Sequence, residues 1–114
     1  MSSNDELRAS RLDTVFDVLA NRRRRAAIQV LRTAPRGSLD VDTLADGVVS
    51  LCDNDPTETE SALYHTHLPK LDATDIVDYD TGSDTVEYNS DPIVERCLDV
   101  AETFESDSWI RRSG

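Results

Sequence analysis

The chain is poor in several residue types, and each shortage narrows what it can be. It has a single lysine, Lys70, against eleven arginines, and only two cysteines, Cys52 and Cys97. Both cysteines fall inside apolar helical patterns, so they read as core residues of a reducing compartment, not as a disulfide framework. No run approaches the ~18 consecutive apolar residues of a membrane-spanning helix. The opening Met1-Ser2-Ser3-Asn4-Asp5-Glu6 lacks the basic start and apolar stretch of a secretory leader, so the expected location is cytoplasmic. A glycine-rich phosphate loop, a nucleophile elbow and a His set beside a plausible nucleophile are all missing. The expectation is a protein that is not an enzyme and needs no cofactor. Metal sensing is not expected either. The cysteines stand alone, and His65 and His67, two apart on a helix, point about 200° from one another.

What the chain has in quantity is acid. Its 114 residues carry 23 Asp and Glu against 12 Lys and Arg, a net charge of −11. Aspartate outnumbers glutamate. Such a surface repels itself at low salt, but at molar salt the screening length falls to ~3 Å. The composition resembles cytosolic proteins of extreme halophiles. The charge is also uneven, with +4 over residues 1–37 and −15 over residues 38–114.

Periodicity predicts one domain over 11–105, with a flexible tail over 1–10 and another over 106–114 that contains Trp109. Leu12, Val15, Phe16 and Leu19 fall at i, i+3, i+4, i+7 and predict a first helix. Asn21 reads as the cap of a second, in which Ala27, Val30, Leu31 and Ala34 repeat the spacing before Pro35 and Gly37 end it. Ser38-Leu39-Asp40 is long enough for a minimal strand or a turn. Val41, Leu44, Ala45, Val48 and Cys52 line a third helix, whose Gly47 predicts close packing against a neighbour. A turn over Asp53–Pro56 leads into a fourth, with Asp55 as cap, Pro56 in the first helical position and Glu58 completing a capping-box pattern. Tyr64, Leu68 and Leu71 are its expected inner residues, and Pro69 should bend its last turn.

Two β-type runs follow, Ile76–Tyr79 and Thr85–Tyr88, around a Gly-containing loop that predicts a hairpin. A fifth helix starts at Asp91-Pro92. Its apolar residues Ile93, Val94, Cys97, Leu98, Ala101 and Phe104 cover more than one stripe, which suggests contacts on two sides and a homodimer.

Three helices, a fourth after a tight turn and then a hairpin are the order of a winged helix-turn-helix. The predicted fold is therefore mainly α, with a two-stranded β-hairpin wing and an extra C-terminal helix. The fourth helix would show a groove-facing side of Thr59, Ala62, Thr66 and Lys70, with Ser61 and His65 beside it. Arg22-Arg23-Arg24-Arg25 is the one basic cluster. Four cations at a helix N-terminus oppose the dipole, so either a phosphate or an intramolecular or intersubunit acid should compensate them.

Leu-Ala-Asn-Arg-Arg-Arg-Arg at 19–25, Leu-Ala at 44–45, Tyr-His-Thr-His-Leu-Pro-Lys-Leu at 64–71 and Ile-Val-Asp-Tyr-Asp at 76–80 resemble the ArsR-like winged-helix regulators. The small haloarchaeal versions of unassigned function are the closest in pattern. The resemblance implies a homodimeric transcription regulator that binds double-stranded DNA. Its recognition helix would be the fourth, with Thr59, Ser61, Ala62, His65, Thr66 and Lys70 on the DNA, joined by Arg22 and Arg23 and by Gly82 and Ser83 at the wing tip. The first and last helices would form the dimer through Leu12, Phe16, Val94, Cys97, Leu98, Ala101 and Phe104.

Two departures stand out. Asp75 holds a place where the family often has glycine, though Asp tolerates the left-handed conformation. Asp53, Asp55, Glu58 and Glu60 crowd the start of the fourth helix, where phosphates would lie, and Asp80 and Asp84 flank the wing. These acids favour the alternative function, a winged-helix module for protein interaction or dimerisation without direct DNA contact.

Overall fold

The computed structural model describes the backbone of residues 3–52 and 55–113 and the side chains of residues 10–52 and 55–104. In chain order it contains α1 (Ser3–Leu19), α2 (Arg22–Thr33), a 3-10 turn (Pro35–Gly37), β1 (Ser38–Asp40) and α3 (Val41–Cys52). α4 (Pro56–Ala62) then runs through a π turn (Leu63–His67) into α5 (Leu68–Ala73), followed by β2 (Val77–Asp80), β3 (Thr85–Tyr88) and α6 (Pro92–Ser113). The chain is mainly helical with one small antiparallel sheet. The helical backbone extends through both segments expected to be tails, back to Ser3 and on to Ser113. Trp109 lies outside the described side chains, as do Asp53 and Asn54 of the expected turn.

The sheet corrects one expectation. It has three strands in the order β1-β3-β2, not the two of a lone hairpin. Ser38–Asp40 pairs with the free edge of β3, Leu39 opposite Val86, while Tyr79 of β2 faces Val86 from the other side. Three residues are too few to show an alternating pattern, so the sequence left this segment open. A left-handed pair, Arg36 (φ 60) and Gly37 (φ 66), turns the chain into register.

The core is one apolar cluster between the helices and the sheet. Its largest fully buried members include Ile28, Leu31, Leu44, Leu63, Leu68, Leu71, Ile76 and Leu98. Gly47 of α3 lies against Val30 of α2, where an added Cβ would sit 2.8 and 2.9 Å from the valine methyls. Only hydrogen fits there.

The joint between α1 and α2 resolves the arginine run. The Asn21 side chain accepts from the backbone N–H groups of Arg23 and Arg24, as a cap should. Arg24 then folds back on α1, donating Nε to Val18 O at 2.6 Å and Nη2 to Asp17 O at 3.2 Å. Arg25 donates to Leu19 O at 2.6 Å. These carbonyls belong to the last turn of α1, which carries the negative end of the dipole and where, of the three, Asp17 O also accepts from Ala20 N at 3.3 Å. Two of the four cations, Arg24 and Arg25, therefore donate to backbone oxygens of α1, an acceptor the sequence reading does not name.

Candidate functional site

The helix from Pro56 to Ala73 begins as the sequence requires. Asp55 accepts from Glu58 N at 3.0 Å and Pro56 takes the first helical position. The Glu58 side chain does not reach back to close a capping box. It donates no further order to the cap and instead accepts from Arg23 Nη2 at 3.2 Å.

Two residues set the helix phase. Leu63 is fully buried, and Thr59, one turn earlier on the same face, is buried with it. Thr59 is thus a correction: expected on the outer face, it points inward, and its Oγ1 has no hydrogen-bond partner among the described residues. Sequence reasoning missed Leu63 because it anchored the phase on Tyr64, Leu68 and Leu71. In a straight α-helix Leu68 would lie about 140° from Leu63. The π turn removes the conflict, since Leu68 N donates to Leu63 O and five residues close one turn. Leu63 and Leu68 then both face the core. Pro69 follows at once. Its ring opposes the carbonyl four residues back, and the wider turn gives it room. The bend expected late in the helix is therefore a local widening before Pro69.

Outward, the helix shows Thr57, Ser61, His65 and Thr66, all exposed, with Ala62 half-buried. Together with Arg23, Asp55 and Glu58 they line an open groove of about 600 Å³. The structure thus brings together five of the residues expected to meet DNA, namely Arg23, Ser61, Ala62, His65 and Thr66. The others lie elsewhere. Lys70 forms an ion pair with Asp17 of α1 at 2.7 Å, and the lysine holds that carboxyl below its usual range. Arg22 turns to a separate small cleft beside Leu51 and Cys52. Gly82 and Ser83 are exposed at the hairpin tip and do not line the groove.

The hairpin is fastened beside this helix. Tyr64 donates its hydroxyl to Asp84 Oδ2 at 2.6 Å, and the carboxylate pushes the phenol pKa up. Asp84 O also accepts from Val41 N at 3.0 Å, which ties the turn to the start of α3. At the tip Asp80 Oδ1 accepts from Gly82 N and Ser83 N. Asp75, with φ 62, takes the left-handed conformation its position demands.

His67 is buried, 4% exposed, with Nδ1 3.4 Å from Arg24 Nη1. It packs where expected, while His65 faces solvent. Among the described residues no three His, Cys, Asp or Glu converge on a metal-ion site, and no helix is long and apolar enough to cross a membrane.

A family model describing a domain of unknown function, DUF7344, matches residues 16–87. The chain belongs to the DUF7344 family. No curated protein and no solved structure matches it. The DUF7344 segment starts within α1 and ends in β3, so it contains the groove, the π turn and the hairpin as far as Glu87. α6 lies outside it.

The residues expected at a dimer interface divide into two groups. Val94 and Leu98 are fully buried in the core of the single chain, which corrects their assignment to a subunit contact. Phe16, Leu12 and Phe104 are exposed, and so is Val100, which sequence reasoning left out. A shallow apolar cleft of about 370 Å³ lies between α1 and α6, lined by Phe16, Leu19, Cys97, Val100 and Ala101 along with Arg25. Burial pushes the Cys97 thiol pKa up, with Asp91 adding to it, so this cysteine is a poor thiolate.

Proposed function

We propose that this protein is a DNA-binding transcriptional regulator of ArsR-like winged helix-turn-helix type, acting as a homodimer in a high-salt cytoplasm. In this reading α3 and the helix from Pro56 to Ala73 are the helix-turn-helix, and β2–β3 is the wing. One observation carries it. The helix buries Leu63, Leu68 and Leu71 and turns Ser61, His65 and Thr66 outward, beside Arg23, in an open groove. A rigidly propped helix with small polar groups on its free side can follow a major groove and hydrogen-bond base edges. His65 and Thr66 are the proposed base readers, and Arg23 the phosphate contact. The exposed apolar strip of Phe16, Val100 and Phe104 supports a second copy on α1 and α6.

A second reading, a protein-interaction module, is favoured by one specific contact. Glu58 occupies Arg23, the one cation of the groove, and Asp55 and Glu60 are exposed at the same helix start. Fixed negative charge opposes a polyanion. In molar salt the objection weakens, because counterion release adds little there and recognition falls to hydrogen bonds and shape.

Duplex binding to genomic fragments at about 2 M KCl separates the two. On the DNA reading Thr66→Asp or His65→Glu abolishes binding with the fold intact, and Glu58→Gln strengthens it by freeing Arg23. Failure of the parent protein to bind any fragment selects the interaction module.

A further inference from the structure

Three elements meet at a single buried guanidinium. Arg24 caps the last turn of α1 through Asp17 O and Val18 O, sits in the first turn of α2, and touches Nδ1 of His67 in the π turn. Arg24 is 8% exposed and His67 4%. The contact of 3.4 Å is long for a hydrogen bond, but it is short for two like charges. A neutral imidazole offers a lone pair to the guanidinium, whereas an imidazolium would set a second buried cation against it.

We propose that His67 and Arg24 form a pH-responsive joint: protonation of His67 forces the two side chains apart and unseats the π turn, and with it the outer face of the Pro56–Ala73 helix. The charged groups around the joint reinforce the effect. From α2, Arg24 and Arg23 both face His67. From α1, Asp17 directs its carboxylate to Lys70 of α5 at 2.7 Å, and from α4 Glu58 is held by Arg23. Both nearby carboxylates thus already have cationic partners. Among the described residues no further acid acts on an imidazolium at this place, and Arg24 cannot retreat without withdrawing its donor from Val18 O.

The electrostatics agree in sign. Burial first, then Arg24 and Arg23, hold His67 below its ordinary value of 6.5. A folded-state pKa below the unfolded one means full stability above about pH 6.5, lost progressively as pH falls from there through the lower folded-state pKa. Screening by salt weakens buried pairs little, so the joint operates at molar KCl.

The inference does not depend on DNA binding. Its test uses the full chain at about 2 M KCl, following the imidazole resonances of His65 and His67 from about pH 8 to about pH 5 and the thermal midpoint over the same range. His67 is expected to titrate below the ordinary value of 6.5. The midpoint of the parent and of His65→Gln should fall by about 5 °C between pH 7.5 and pH 5.5, while His67→Gln stays level. A His67 that titrates at or above the ordinary value of 6.5 in the intact protein overturns the proposal, even where His67→Gln fails to fold. A parent midpoint that is flat across the window overturns it as well. Duplex binding followed on the same samples keeps the two readings apart: its absence at every pH removes the DNA assignment and leaves the joint to be judged on midpoint and titration.

Discussion

At position 47 a single methyl group decides how closely two helices approach. In an open helix Gly47→Ala would gain about 1 kcal/mol from propensity. Here the new Cβ would lie under 3 Å from both methyls of Val30, a stiff β-branched side chain that cannot swing aside. Overpacking of this kind costs about 1–3 kcal/mol, so the net effect is expected to be destabilising by about 1 kcal/mol. Denaturant titration of Gly47→Ala, Val30→Ala and the double variant checks this. The double variant should recover stability relative to Gly47→Ala, and strict additivity would contradict the contact. Asp75 works in the opposite sense. Its left-handed backbone costs little for Asp, and its carbonyl accepts from Asn89 Nδ2 at 3.1 Å. Asp75→Val is expected to lose about 1–2 kcal/mol where Asp75→Gly loses none, as thermal melts of the two would register.

Among the elements, the α1–α2 joint bears the most on how the groove is held. Arg24 and Arg25 supply three donors to the final carbonyls of α1, and Arg24 does so from inside the protein. Arg24→Met removes the donor to Val18 O and leaves Asp17 O with only the Ala20 N–H, at an expected cost of about 2 kcal/mol. Arg24→Lys should recover little of it, since a single ammonium lacks the planar fork that spans both. A lysine variant with parental stability, measured by denaturant unfolding, would mean that charge alone matters at this joint. The helix from Pro56 to Ala73 shows the other side of element-level control. Its caps were legible, because Asp55 and Pro56 act locally. Its phase was not, because Leu63 and Leu68 reach the same core only through a π turn. That turn lies just ahead of Pro69, whose missing N–H and bulky ring disfavour an ordinary α turn.

At the scale of the molecule the net charge of −11 coexists with several basic side chains that are engaged inside the fold. Arg11 holds Asp91 and Thr74 O, Arg32 holds Glu95 and Asp99, Arg23 holds Glu58, and Lys70 holds Asp17. Phe16 and Val100 leave an exposed apolar cleft where α1 and α6 run together. If two copies meet there, Phe16→Glu or Phe104→Glu should convert a dimer to monomer at about 2 M KCl without lowering the thermal midpoint. Leu98→Glu should instead unfold the chain, because Leu98 is wholly inside one subunit. Sedimentation that finds the parent monomeric would remove the dimer from the proposed function.

Local physics is what the sequence could determine alone. Asn21 and Asp55 cap helices because their side chains bond the very next turn, Gly47 announces a close neighbour, and the strand pair around Asp80–Asp84 is set by β-propensity and a turn. Val94 and Leu98 looked like interface residues, Thr59 looked exposed, and Ser38–Asp40 had no readable partner. Those questions depend on which surfaces come together over long separations. Only the folded chain decides that Thr59 sits beneath Leu63, that β1 completes β3 as a third strand, and that two arginines expected to face phosphate or acid instead close the end of α1. Spacing in a sequence fixes which residues share a face, while the packing of the other helices fixes where that face points.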